Sequence, residues 1–202
     1  MEQDQWRDRL TYRSDLVARV THLTGSHTAN DDVAFQALWK ILTEKKLIGS
    51  GNDGYIIGNK RAVCFQEVPL MAMAENLWFG ERLGTPPKYR AFGLRVNRGE
   101  LYKKGGRPVL YGERDKLKAQ IPQYEHWRIV SMDLDKPEEI VDWTHEREWR
   151  YPGDFSFEWS EIEILLKDHN YYTKFVEKCF AEGKTDLLKS VNGIITLDSV
   201  IS

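Results

Sequence analysis

The apolar residues of this chain recur with two different periods, and the switches between them mark its elements. Residues 16–23 (LVARVTHL) alternate and include β-branched positions, which predicts a strand. Asn30-Asp31-Asp32 then offers an N-cap, and Phe35, Leu38, Trp39, Leu42 and Leu47 follow at helical spacing, with Gly49 and Gly51 beyond the end. Residues 51–60 read as loop and 61–66 (RAVCFQ) as a buried strand stopped by Pro69. A short helix is expected over 70–80, closed by Gly80, and a Pro-Pro loop over 83–88. Further strands are expected over 89–96, 107–111, 127–134, 146–151 and 161–167. From about 171 to 191, Phe175, Val176, Cys179, Phe180, Leu187 and Leu188 predict an amphipathic helix that Gly183 could divide. The apolar, β-branched 193–202 predicts an edge strand. Short strands with helices between and after them make an α+β class, without regular βαβ alternation.

Composition narrows this further. The chain has 202 residues, enough for one domain with a sizeable core, and we expect a single domain over 1–202 with 168–202 as a C-terminal helical and tail extension. An aromatic share of 12% argues against disorder. No apolar run approaches the roughly 18 residues of a membrane span. The polar opening MEQDQWRDRL lacks the apolar centre of a signal peptide, so a cytoplasmic protein without membrane contact is expected. Cys64 and Cys179 are scattered, and the histidines form no HxxxH pair, so no metal is expected.

Charge is unevenly distributed. Residues 88–118 hold ten bases against three acids, whereas 151–202 hold nine acids against five bases. Two solvated faces of opposite sign would produce this, as would a basic wall for a phosphate-bearing ligand or nucleic acid. No GxGxxG, Walker loop or GxSxG occurs, which removes the main Rossmann, P-loop and hydrolase readings.

Four stretches hold residues with chemical potential. In Trp143–Arg150 (WTHEREWR), Glu146 and Glu148 stand two apart, and on a strand they would share a face. Paired carboxylates occur on solvated faces, and also where a site tunes their protonation or holds a cation. His22 and Thr24 likewise share one side of the first strand and could grip a ribose. Cys64-Phe-Gln-Glu-Val-Pro-Leu70 carries polar groups to a strand end, and Arg107-Pro-Val-Leu-Tyr-Gly112 places an aromatic and a glycine in the basic region.

In this order, VTHLT, ILTEKKLIGSG, AVCFQEVPL, YRAFGLRV, GRPVLYGE and HEREWR resemble bacterial abortive-infection and phage-defence proteins, and more distantly DarT-type and CmdT-like ADP-ribosyltransferase toxins. The resemblance spans about residues 16–155, with CFQEVPL and EREWR its more specific pieces. It implies an ADP-ribosyltransferase-like split two-sheet core with flanking helices that clamps NAD as co-substrate. His22 and Thr24 would match an HxT-like motif orienting the nicotinamide ribose, with Arg19 as the arginine-type substitute. Glu148 would match the catalytic glutamate, and Glu146 the acceptor-activating member of an ExE pair. The family's Ser-Thr-Ser middle motif is missing, and CFQEV stands in its place. Tyr89, Phe92 and Tyr111 are stacking candidates for nicotinamide, and Lys60, Arg61 and Arg107 are candidates for the pyrophosphate.

The relatives with this look modify nucleic acid, so RNA, and single-stranded DNA after it, are the expected acceptors. A cognate antitoxin, and a chaperone with it, would be the protein partners. Three other readings compete. One is a non-catalytic nucleotide- or partner-binding module, in which the glutamates only pair with Arg147 and Arg150. A metal-dependent nuclease around Asp154, Glu161, Glu163 and Lys167 is the second. A cysteine hydrolase on Cys64 and His22 is the most remote.

Overall fold

A computed structural model of the chain describes residues 2–25, 30–51, 55–82 and 89–200. The first half comprises α1 (Gln3–Tyr12), β1 (Arg19–Gly25), α2 (Asp31–Glu44), β2 (Lys46–Leu47), β3 (Ala62–Gln66), α3 (Leu70–Arg82) and β4 (Tyr89–Asn97). It continues with α4 (Arg98–Lys104), β5 (Arg107–Pro108), β6 (Leu110–Gly112), α5 (Arg114–Gln120), β7 (Ile129–Ser131) and β8 (Glu148–Pro152). Last come β9 (Phe155–Ser156), β10 (Ile162–Leu166), α6 (His169–Ala181), α7 (Thr185–Ser190) and β11 (Gly193–Thr196). The expected loop over 83–88 lies outside the described residues.

The α+β class is the observed one, with a large central sheet and flanking helices. Seven strands run in the order β11-β10-β4-β1-β3-β8-β5, and β2-β9 and β6-β7 form separate two-stranded ribbons. The large sheet is nearly two. β1 pairs with β4 from Arg19 to Gly25, but it meets β3 at one register pair alone, Thr21 opposite Gln66. One half is therefore β11-β10-β4-β1 and the other β3-β8-β5.

Helices cover both faces. α2, α6 and α7 press Phe35, Leu38, Leu42, Phe175 and Leu187 against Val20, Phe92, Leu94 and Ile164 in the larger core. α3 covers the other side of β1, β4 and β10, with Met73 packed among Leu23, Leu165 and Leu197. Burying a large aliphatic side chain fully contributes about 1.5–3 kcal/mol, so these two clusters fix which faces point inward. β11 lies parallel to β10 at the sheet edge, and Gly183, with φ at 65°, separates α6 from α7 as its position suggested.

Several boundaries differ from the sequence expectation for local reasons. Asn30 caps α2 through Asp32 N–H and Val33 N–H, but the helix stops at Glu44 because Lys45 turns left-handed at φ 52°. Leu47, expected as the last helical contact, is therefore a buried residue of β2. α3 runs through Gly80 to Arg82. The strand expected over 107–111 is split. Arg107 and Pro108 pair with β8, whereas Leu110–Gly112 pair with β7. Residues 123–128 form a 3-10 helix, which shortens the strand expected over 127–134 to β7.

Candidate functional site

Glu146 and Glu148 do not lie on one strand, contrary to the sequence expectation. Glu146 ends a 3-10 turn (Thr144–Glu146), Arg147 turns left-handed at φ 45°, and only Glu148 begins β8. Both carboxylates are buried nonetheless, and both face one small cavity. The left-handed residue achieves by a kink what strand alternation would have done by period.

Glu148 is held from several sides. Arg150 Nε donates to its Oε1 at 2.7 Å, and Arg150 Nη2 approaches Oε2 at 3.4 Å. Arg150 Nη1 also donates to the carbonyls of Trp127 and Ile129, tying the 3-10 segment and β7 to β8. The Glu148 backbone N–H donates to the Tyr111 hydroxyl at 2.8 Å. Burial works against the charged form of Arg150, but Glu148 outweighs it and the net shift is upward. Burial, aided by Glu148 and Glu146, pushes Tyr111 up to about 12.

Glu146 occupies a different position. It borders two cavities at once. The larger, about 710 Å³, runs along α3 and is lined by Gln66, Met73, Asn76, Trp78, Phe79 and His145 as well as Glu146. The smaller, about 260 Å³, is lined by Tyr55, Arg114, Ser131, Trp143, Glu148 and Arg150 as well as Glu146. Tyr89 donates from its hydroxyl to Glu146 Oε2 at 3.4 Å. Burial first, and Glu146 second, keep Tyr89 protonated far above the usual tyrosine range. Gln66 stands opposite Glu148 in the β3–β8 register and forms part of the floor, at the single joint between the sheet halves.

The structure thus brings together Glu146, Glu148, Tyr89 and Tyr111. The other residues singled out in the sequence lie elsewhere. The β1–β4 register shifts between Leu23 and Gly25, where Thr24 sits, and the two side chains turn to opposite neighbours: Thr24 Oγ1 donates to the Phe92 carbonyl of β4 and His22 Nδ1 donates to the Cys64 carbonyl of β3. Neither borders these two cavities. Arg19 pairs with Glu163 at 2.9 Å beside Arg95 and lines a separate hollow with Lys104 and Asn192. Arg107 donates to the Tyr102 and Gly106 carbonyls and lies 4.0 Å over the Tyr102 ring. Phe92 is buried in the larger core, Arg61 is turned to Gly49 and Asp154, and Lys60 lies over Tyr124 and Trp127.

Most of the described bases of the basic stretch are matched to acids, and Lys88 lies outside the described residues. Arg90 pairs with Asp31, Arg95 with Glu163, Arg98 with Glu67 and Lys104 with Glu161, all acids distant in sequence. Lys103, Lys116 and Lys118 pair with Glu100, Glu113 and Asp115 nearby. Among the described residues, Arg114 is the base of that stretch that reaches the small cavity, and sequence reasoning did not single it out. Trp143 and Tyr55 were missed as well. Their signal was their place beside EREWR and within a glycine-rich loop, which carries no period.

Among the described residues, no group of three or more His, Cys, Asp or Glu side chains is placed to hold a metal ion. No described helix is long and apolar enough to cross a membrane. No protein-family model matches the sequence, and no curated protein matches it. Among solved structures, Thermus sp. 2.9 DarT in complex with NAD+ is similar, with a TM-score of 0.41 and 17% identity, over 90% of this chain and 96% of that one.

Proposed function

We propose that the chain is an NAD-dependent mono-ADP-ribosyltransferase acting on nucleic acid, RNA ahead of single-stranded DNA. On this reading it is a cytoplasmic phage-defence toxin restrained by a cognate antitoxin, with a chaperone assisting, and its catalytic unit is one domain across 1–202. The observation that carries the activity is the place of Glu146, a buried carboxylate common to two cavities of unequal size. A group transfer between two substrates needs such a shared boundary.

The larger cavity lies within the range of small-molecule sites. Its residues fit the nicotinamide–ribose end of NAD. Trp78 and Phe79 offer apolar ring surface, and Gln66, Asn76, His145 and Glu146 offer hydrogen-bonding groups. Bound there, NAD supplies an activated glycosidic bond whose cleavage leaves positive charge on the ribose. A carboxylate already fixed in a dry site stabilises such charge without reorganising. Glu146, which the resemblance matched to acceptor activation, lines this cavity where Glu148 does not and so takes that position in its place, and Tyr89, protonated across the working pH range, orients it. Glu148, locked by Arg150, adds a second fixed negative charge.

The same ion pair favours one other reading. A glutamate clamped by a buried arginine is what a non-catalytic nucleotide-binding module would also contain. Incubating the protein with labelled NAD and, in parallel, cellular RNA, single-stranded DNA and protein extract separates the two. We expect label on nucleic acid, reduced by about a hundredfold or more in Glu146→Gln, as for loss of a transition-state electrostatic contact. NAD left intact with every acceptor would refute the transferase and leave the binding module.

A further inference from the structure

We propose that the smaller cavity seats one unstacked base of a single-stranded nucleic acid, with Arg114 at its rim holding the adjoining backbone phosphate. This rests on the nucleic-acid reading above and gives the acceptor a place in the molecule. At about 260 Å³ the cavity is far smaller than its neighbour and suits a single ring system.

Two aromatic rings, Tyr55 and Trp143, stand among its aliphatic wall residues Ile57, Val130 and Val141. The Tyr55 and Trp143 rings lie 6.5 Å apart, and Trp143 and His145 lie 6.1 Å apart. Because His145 borders the larger cavity, this chain of rings leads from one cavity to the other. Tyr55 is 72% exposed, so the ring surface faces incoming ligand. Every base has a π-face, which makes such a platform tolerant of sequence. The floor carries Glu146 and Glu148, acceptors for the N–H groups of a base edge.

The rim decides between nucleic acid and a cationic protein side chain. Arg114 is exposed and makes no ion pair among the described residues, whereas Arg90, Arg95, Arg98, Lys103, Lys104, Lys116 and Lys118 are each matched to an acid. An unmatched guanidinium repels an approaching lysine or arginine and attracts a phosphate. In a duplex the base faces are already stacked and cannot reach the rings, so the seat selects single strands.

The test is a fluorescence-anisotropy titration with the full chain and no NAD present. Its probes are a roughly 12-nucleotide single-stranded RNA, the same sequence as DNA, and the RNA as a duplex. We expect the single strands to bind and the duplex to bind at least about tenfold more weakly. Trp143→Ala should weaken single-strand binding about tenfold or more, as for loss of one stacked base. Arg114→Gln should weaken it too and lower the slope of log K against log salt by about 0.7, the loss of one phosphate contact. Lys103→Gln, an exposed lysine paired with Glu100, should bind as the parent does. Because Arg114 is exposed, its replacement leaves folding intact and keeps the test valid should Trp143→Ala unfold. Parent-like binding by Arg114→Gln and a folded Trp143→Ala, equal binding of duplex and single strand, or no binding by the parent would each overturn the proposal. Binding needs no NAD, so a failed transferase assay with these binding results would sink the activity and leave the seat standing.

Discussion

Replacing Arg150 with methionine is the sharpest test of how the site is held together. The substitution keeps an unbranched apolar stem but removes the guanidinium. It deletes the 2.7 Å contact to Glu148 and the donors to the Trp127 and Ile129 carbonyls, at 2.7 and 3.1 Å. Arg150 is 1% exposed and Glu148 7%, so water reaches the orphaned groups only by way of the small cavity and replaces little of what is lost. Breaking a buried pair by removing one partner costs about 3–5 kcal/mol, because the remaining charge stays buried and unpaired. With a urea slope of about 2 kcal/mol per molar, a loss of about 4 kcal/mol lowers the unfolding midpoint by about 2 M. Circular dichroism at 222 nm during urea titration gives the number directly. The companion is Glu148→Gln/Arg150→Met, which removes both charges. It should recover about half of the deficit, since the orphaned carboxylate disappears while the two carbonyls remain without their donor. A single-variant cost below about 1 kcal/mol, or a double variant as unstable as the sum of its parts, would refute the account of Glu148 as a charge fixed by its neighbour.

Three further outcomes follow from the geometry. Gly93→Ala would place its Cβ 2.1 Å from the His22 carbonyl oxygen, so β1 and β4 must part; thermal melting should show a cost of about 1–3 kcal/mol or failure to fold. Burial lowers the pKa of His22, with the Cys64 carbonyl opposing, so the folded state binds its proton less readily than the unfolded chain. Stability should therefore be complete above the unfolded value of 6.5 and fall as pH drops below it, a slope that His22→Gln flattens in urea titrations at stepped pH. Burial raises Cys179 to about 11, so mass-resolved alkylation at neutral pH should leave it unmodified until denaturant is added.

What the sequence made legible was whatever depends on near neighbours. The α2 cap at Asn30, the strand over 89–96 and the break at Gly183 each rest on a few adjacent residues, and each is where the pattern put it. The site was legible in its residues but not in its geometry. EREWR reads as strand throughout, with Glu146 and Glu148 on one face, yet Arg147 adopts a left-handed turn that no side-chain period announces. The basic stretch misled for a related reason. Its charges look unopposed along the chain, but Asp31, Glu67, Glu161 and Glu163 arrive from other elements to meet them. Spacing alone put His22 and Thr24 on one face, but it could not reveal the register shift at Thr24 or that backbone carbonyls from β3 and β4 would take their hydrogen bonds.

The single register pair joining the two half-sheets has a further consequence for how the molecule is made. The chain passes back and forth across that joint: β1 on one side, β3 on the other, β4 back again, β5 and β8 across, and β10 and β11 returning. Neither half is a continuous stretch of sequence. During synthesis β4 therefore emerges long before β10, its neighbour in the sheet, and Glu146 and Glu148 are translated while that half still has an open edge. No truncated or nascent chain ending before β10 can present the finished pair of cavities on a completed sheet.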